Sequence, residues 1–385
     1  LASDILTLPT VSVGGGSDPA FQNVRQPRGM VRINGAPVAG WLDFEVESNA
    51  YREADTFRVQ FALSALASPY DAAWFTAQTT ITLELLAGFP ANPDSYGASE
   101  LDSLILGNVD QVSFDPVQRT MELSGRDLTA LLIDAKTAEK WQNQTASQVA
   151  TTLAQRHGLT PVVTATTETL GTFYQIDHVS TTSAQTEWDF LVWIAQQTQF
   201  VVYVKGNELH FEPAPIPGQA PVYPIDWTEA TDTHPFQASV KQLSFSRTLT
   251  VGKTISVTVR SWNSKQAKGF SASYPKARVH GGSPGTKGQP IQQYFYTIPN
   301  LTQDQAIKRA QAIYNDLIKH EMRLSACLPA DNLLTIDNVL QVSGTGTEFD
   351  QAYYPESITR TLSFHSGYEM RIEARNHSND VEPAL

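Results

Sequence analysis

Across residues 29–124, apolar and polar residues alternate in short runs, the period of strands that bury one face. The runs predict strands at 30–33, 41–48, 56–63, 79–86, 104–114 and 119–124. An Asn34-Gly35 turn follows the first, and Asp115-Pro116 closes the last hairpin. So many strands in about a hundred residues, with little helix, indicate a barrel or sandwich.

The period changes within 119–158. Met121 and Leu123 still point one way, as in a half-buried strand, and Gly125 is read as a turn. From Asp127, the residues Leu128, Leu131 and Leu132 mark a short helix. Thr145 and Gln148 then form a T-x-x-Q capping box, in which each side chain satisfies a backbone N–H that the helix leaves orphaned. Val149, Ala150, Leu153 and Ala154 form the buried stripe, Arg156 and His157 sit at the negative end of the dipole, and Gly158 stops the helix. A second helix at 185–198 carries Trp188, Leu191, Val192 and Ala195 on one stripe beside Phe190 and Trp193, aromatics read as core. A hairpin at 200–204 and 208–211 around Gly206-Asn207 completes a small α/β lobe, and 213–224 reads as a linker.

The β pattern resumes at 239–245 and 253–262. A helix at 302–320 repeats the capping box with Thr302 and Gln305 and buries Ile307, Ala310, Ile313, Tyr314 and Leu317. Strands return at 339–342, 357–364 and 368–374. The closing hairpins of the two β regions echo each other. SFDPVQRTMELSGRD, ending at Asp127, aligns with SFHSGYEMRIEARN, ending at Asn376, with a single-residue gap. Ser113-Phe114 then falls on Ser363-Phe364, Met121 on Met370, Leu123 on Ile372 and Arg126-Asp127 on Arg375-Asn376. The echo suggests two copies of one barrel with lobes inserted. The expected class is mainly β with α+β insertions. The expected divisions are an arm at 1–28, a first barrel at 29–130, an inserted α/β domain at 131–216, a second barrel at 217–262 and 333–385, and an inserted segment at 263–332.

A chain of 385 residues with 41% hydrophobic residues has room for several cores. A single cysteine, Cys327, excludes an internal disulfide framework. No run reaches the ~18 apolar residues that cross a bilayer as a helix, so no membrane span is expected. The net charge of −12 is unevenly spread. Residues 1–134 hold 17 acids against 7 bases, whereas 241–323 hold 13 bases against 3 acids, and 233–303 hold no acid. Strand-rich surface that uses lysine is the plain explanation. The sharper one is a basic face carrying Lys241, Arg247, Lys253, Arg260, Lys265, Lys268, Lys276, Arg278 and Lys287. Such a face would meet DNA, or the acidic N-terminal region of a neighbouring copy.

Searches for chemistry come up empty. Gly281-Gly282-Ser283-Pro284-Gly285 matches the string of a nucleophile elbow, but Pro284 lacks the backbone N–H that the elbow's oxyanion hole requires. The eight histidines fall at no metal-ligand spacing. Gly14-Gly15-Gly16 and Gly344-Thr345-Gly346 lack a phosphate loop's lysine and following helix. Glu45 and Glu47 on one strand face are explained by exposure. No catalytic residue, metal site or cofactor is expected.

The order of motifs carries a resemblance. Leu123–Leu132 (LSGRDLTALL), the capped helix from Thr145 ending at His157-Gly158-Leu159, and Thr186–Pro213, with its TEWDFLVWIA run and the hairpin ending LHFEP, resemble the phage baseplate hub family. That family comprises the late control D proteins and Mu-like tail hubs, related to the first part of the type VI secretion spike protein VgrG. The Ala-rich helix from Thr302 and the strands ending GYEMRIEARN resemble the family's C-terminal half. The resemblance implies two tube-type barrels per chain and a homotrimer whose six barrels match a sixfold tail tube to a threefold central spike. It also implies tape measure and baseplate wedge proteins as partners, location in the virion after synthesis in the host cytoplasm, and DNA only in transit. Unlike VgrG, the sequence has no β-helical spike, which a separate protein would supply. Two rival readings stand: a peptidoglycan-binding module, because 145–159 also resembles a LysM helix, and a cell-wall hydrolase carried on a hub.

Overall fold

A computed structural model describes residues 26–137, 139, 141, 144–167, 169–170, 185–198, 200–213, 220–233, 235–248, 255–263, 268–274, 292–297, 303–318 and 322–376. The first β region comprises β1 (Arg28–Ile33), β2 (Ala36–Val38), β3 (Trp41–Asn49), β4 (Thr56–Ala62), β5 (Thr82–Gly88), β6 (Asp102–Asp115) and β7 (Thr120–Asp127), with the short helix α1 (Ala72–Ala77) between β4 and β5. Its hydrogen-bonded order is β2-β1-β5-β6-β7-β4-β3. Alternation dictates the burial: Phe44 and Val46 of β3, Phe57, Val59 and Phe61 of β4, and Met121 and Leu123 of β7 all point into the core. Asn34 (φ 50°) and Gly35 (φ 83°) are both left-handed, as a two-residue turn between paired Ile33 and Ala36 requires.

Gly125 is not the expected turn. It lies inside β7, where a Cβ would meet the Asn108 carbonyl oxygen at 2.0 Å and the Phe57 ring at 2.8 Å. Glycine stands there because a neighbouring backbone comes too close for a side chain. The strand therefore runs on to Asp127.

The α/β lobe follows: α2 (Ala130–Asp134), β8 (Lys136–Thr137), β9 (Gln144–Thr145), α3 (Ala146–Arg156), β10 (Thr160–Val163), β11 (Thr169–Leu170), β12 (Gln185–Thr186), α4 (Glu187–Thr198), β13 (Phe200–Lys205) and β14 (Glu208–Pro213). The capping box forms as expected, with Thr145 accepting from the Gln148 amide and Gln148 accepting from that of Thr145. Gly158 is left-handed at φ 72°. Leu153, Leu191 and Phe211 meet in a core of the lobe's own. Ile194 is fully buried in it, and Val192, placed on the stripe from sequence, is half-buried beside it.

The second β region and its insertion comprise β15 (Val222–Thr228), β16 (Gln237–Ala238), β17 (Gln242–Arg247), β18 (Ile255–Asn263), β19 (Lys268–Tyr274), β20 (Gln292–Thr297), α5 (Gln303–Ile318), β21 (Met322–Pro329), β22 (Val339–Ser343), β23 (Ala352–Ser363) and β24 (Gly367–Arg375). Here the sequence reading needs two corrections. The strand expected at 253–262 is not part of the main sheet: β18 pairs with β19 and β20 under α5, around a separate core of Val257, Val259 and Ala310. Conversely β21, assigned from sequence to the inserted segment, pairs with β17 and β24 in the main sheet. Alternation tells which face of a strand is buried but not against what. Thr302 and the expected helix end at Lys319 and His320 lie outside the described residues.

The second region repeats the first. Its order, β16-β15-β22-β23-β24-β21-β17, matches β2-β1-β5-β6-β7-β4-β3 position for position. Registers agree as well. Phe57, Val59 and Phe61 face Gly125, Leu123 and Met121, just as Leu324, Ala326 and Leu328 face Ala374, Ile372 and Met370. A bulge interrupts β6 between Val109 and Gln111 and β23 between Pro355 and Ser357, at the same step of the register. Two differences stand out. β1 runs antiparallel to β5, whereas β15 runs parallel to β22. The second hairpin is also longer, because Met121 faces Phe114 while Met370 faces Arg360. The sequence echo therefore holds along β7 and β24, but the register match of Phe114 is Arg360 and not Phe364.

The halves join through β3, whose outer edge pairs antiparallel with β23 from Asp43↔Ser363 to Asn49↔Ser357. The result is one 14-stranded sheet over a single buried cluster that includes Val31 and Phe44 of the first half and Tyr353 and Ile372 of the second. The fold is mainly β with α+β insertions.

Candidate assembly interface

The β3·β23 junction is built from both halves. On its core side Val46 faces Arg360, which is only 6% exposed; its guanidinium donates to the carbonyl oxygens of Asp331 (3.0 Å) and Leu334. On its polar side Thr361 donates to Glu45 at 3.3 Å. Beyond the last pair, Phe364 stacks on Trp41 with centroids 4.9 Å apart.

Opposite the core, the sheet carries a continuous charged face, since every second residue of a strand points there. Asp43, Glu45 and Glu47 of β3, Glu122 of β7, and Glu369 and Glu373 of β24 supply its acids; Arg58, Arg126, Arg323, Arg371 and Arg375 supply its bases. Arg58 bridges Asp43 at 2.7 Å and Glu122 at 3.2 Å. Six carboxylates and five guanidiniums make the face one of mixed, nearly balanced charge. Glu45 and Glu47, explained singly by exposure, thus belong to a surface spanning both halves.

Of the basic residues singled out from sequence, the four that are described fall in two separate places. Lys241 and Arg247 flank β17, where they bond Glu369 and, at 2.6 Å, Glu348. Arg260 lies on the separate small sheet with its guanidinium 4.9 Å from the Phe295 ring centroid. Lys268 is on β19. Lys253, Lys265, Lys276, Arg278 and Lys287, like the loop holding Ser283, lie outside the described residues.

A cleft behind the junction is lined by Asp55, Asp127, Tyr203, His210, Asp337 and Arg360, among others. Asp127 accepts from the Thr129 amide at 3.1 Å and from its hydroxyl at 2.9 Å. Burial, and then the neighbouring Asp55, push its carboxyl up to about 8; burial pushes Asp55 up to about 6. The bonds to Thr129 close the turn that leads into α2, which gives Asp127 a structural task. Among the described residues no group of three His, Cys, Asp or Glu side chains is placed to hold a metal ion. No described helix is long and apolar enough to cross a membrane.

His157, read from sequence as a helix-end cation, meets a partner that spacing alone did not reveal. Its Nε2 and Arg156 Nη1 both lie 2.5 Å from the buried Glu187 carboxylate, which ties the end of α3 to the start of α4.

Solved phage tail proteins share this fold. The chain superposes on the tail protein from Neisseria meningitidis MC58 with a TM-score of 0.66 at 14% identity, covering 93% of this chain and 99% of that one. It is also similar to the 43 kDa tail protein of prophage MuSo2 from Shewanella oneidensis, with a TM-score of 0.61 at 15% identity over 91% and 96% of the two chains. A chain of the Francisella PdpA-VgrG complex matches with a TM-score of 0.50 at 8% identity; the match covers 92% of this chain and 59% of that one. No protein-family model and no curated protein matches the sequence.

Proposed function

We propose that the chain is a structural hub subunit of a phage tail baseplate, without catalytic turnover. Three copies close into a ring of six equivalent β units. The ring joins the sixfold tail tube above to the threefold central spike below, and its channel lets DNA pass at ejection. One observation carries this reading: a single chain holds the same strand order twice, joined edge to edge. A unit that occurs twice per chain turns threefold assembly into a sixfold surface, which a tube and a spike of different symmetry require. Tape measure and wedge proteins complete the set of partners. The likeness to a chain of a VgrG complex supports the corresponding type VI hub as the second reading.

The test is mass in solution by sedimentation, with negative-stain imaging of the same sample. Three chains per particle and rings with a central hole are expected, and the particles should weaken as salt rises if the acidic and basic halves meet. Open filaments, or monomers at every concentration, would overturn the ring. Clearing of cell-wall material in a zymogram would return the hydrolase reading.

A further inference from the structure

Besides the short end strands β2 and β16, the repeat leaves two strand edges unpaired among the described residues. Within the chain, the outer edge of β3 is filled by the far half of β23, Ser357–Ser363. The register match of β3 is β17, which pairs with β21 on one side and, among the described residues, with no strand on the other. The register match of that half of β23 is the end of β6. Past Asn108, β6 pairs with β7 but, among the described residues, with no second strand. These two edges are thus the counterparts of the two that its own junction uses, one from each side.

Resting on the ring reading above, we infer that β17 of one copy adds antiparallel to residues 111–115 of β6 of the next copy. The register follows from the internal junction. Val46↔Arg360 and Glu47↔Thr359 become Phe245↔Phe114 and Ser246↔Ser113, and Ser48↔Ile358 becomes Arg247↔Val112.

Three further features fit this pairing. Phe114 is 45% exposed on the core side of an unpaired edge and Val117 is 90% exposed beside it, an arrangement that invites strand addition. Phe245 would cover Phe114, as Val46 lies against Arg360 at the internal junction. The charges are also compatible: Arg247, bonded to Glu348 in its own chain, falls at the end of β6 where Arg126 holds Asp110, and Lys241, bonded to Glu369, at the end that carries Asp115. Finally, the contact is heterologous, one edge meeting a different edge, so repeating it generates a closed ring or a filament and never a twofold dimer. The charged face of the sheet continues across it, as it does across β3·β23.

Disulfide trapping in the full chain tests the register. In a Cys327→Ser background, Ser113→Cys and Ser246→Cys are combined, both on the polar face, and oxidised with copper phenanthroline. Directly opposed positions bring Cβ atoms close enough to bridge, so covalent multimers should exceed those of either single variant by about tenfold. Val112→Cys with Ser246→Cys is the control, since its neighbouring position points to the opposite face and should not bridge. Unchanged thermal unfolding of the reduced variants shows that each is folded. Bridged multimers of the tested pair alone support the inference. An oligomer by sedimentation that bridges equally at the control, or at neither pair, overturns the register and leaves the ring standing. A monomer throughout counts against both.

Discussion

Asp127→Asn replaces the most perturbed acid of the cleft with its permanently neutral counterpart. The amide oxygen still accepts from the Thr129 N–H, and the amide nitrogen donates to the Thr129 hydroxyl in place of the oxygen that accepted from it, so the turn into α2 keeps both contacts with one bond reversed. What changes is the charge. The wild-type carboxyl sits at 3.8 in the unfolded chain and about 8 in the folded one, so the native state binds the extra proton between those values. Stability from this group is complete below pH 4 and is lost as pH rises through 8. The whole shift corresponds to roughly 6 kcal/mol at 1.36 kcal/mol per unit. The cleft admits water on one side, so we expect about 2 kcal/mol to be measurable. Urea unfolding at pH 3.5 and pH 8.5 checks this. The variant should match wild type within about 0.5 kcal/mol at pH 3.5 and exceed it by about 2 kcal/mol at pH 8.5, with unchanged m. Equal stability of the two proteins at pH 8.5, or an advantage confined to pH 3.5, would refute the argument that burial holds the proton.

Two further outcomes follow from the packing. Gly125→Ala should cost about 3 kcal/mol by chemical denaturation, because the clash is with the Asn108 backbone and no rotamer relieves it; Gly97→Ala, whose Cβ finds its nearest neighbour at 3.9 Å, should cost under about 1 kcal/mol. Glu187→Gln should cost about 2–3 kcal/mol, since Arg156 and His157 both lose a charged acceptor that is 3% exposed, and the loss should register as a lower denaturation midpoint.

Local structure was largely legible in the chain, because period, caps and turn residues are read within a few positions of each other. Alternation gave the strands of the first half, Thr145 and Gln148 gave the start of α3, and Asn34-Gly35 gave its hairpin. The echo between the two hairpins was also legible in the sequence, on Met121, Leu123 and Arg126. The candidate interface was not. Trp41 and Phe364 stack from opposite ends of the chain, and the charged face is assembled from strands more than three hundred residues apart. Where a run of basic residues suggested one face, folding sent Arg260 to a different sheet from Lys241 and Arg247.

Sequence alone determined that this protein is made of strands with capped helices between them, and that one strand pair occurs twice. Those features are written in side-chain periodicity and backbone preference, which act over a few residues. Only the tertiary structure decided that the repeat spans every strand of each β region, which strands belong to it, and which of its edges are filled. Pairing between distant strands depends on register and on what packs behind them, and neither leaves a trace in local spacing.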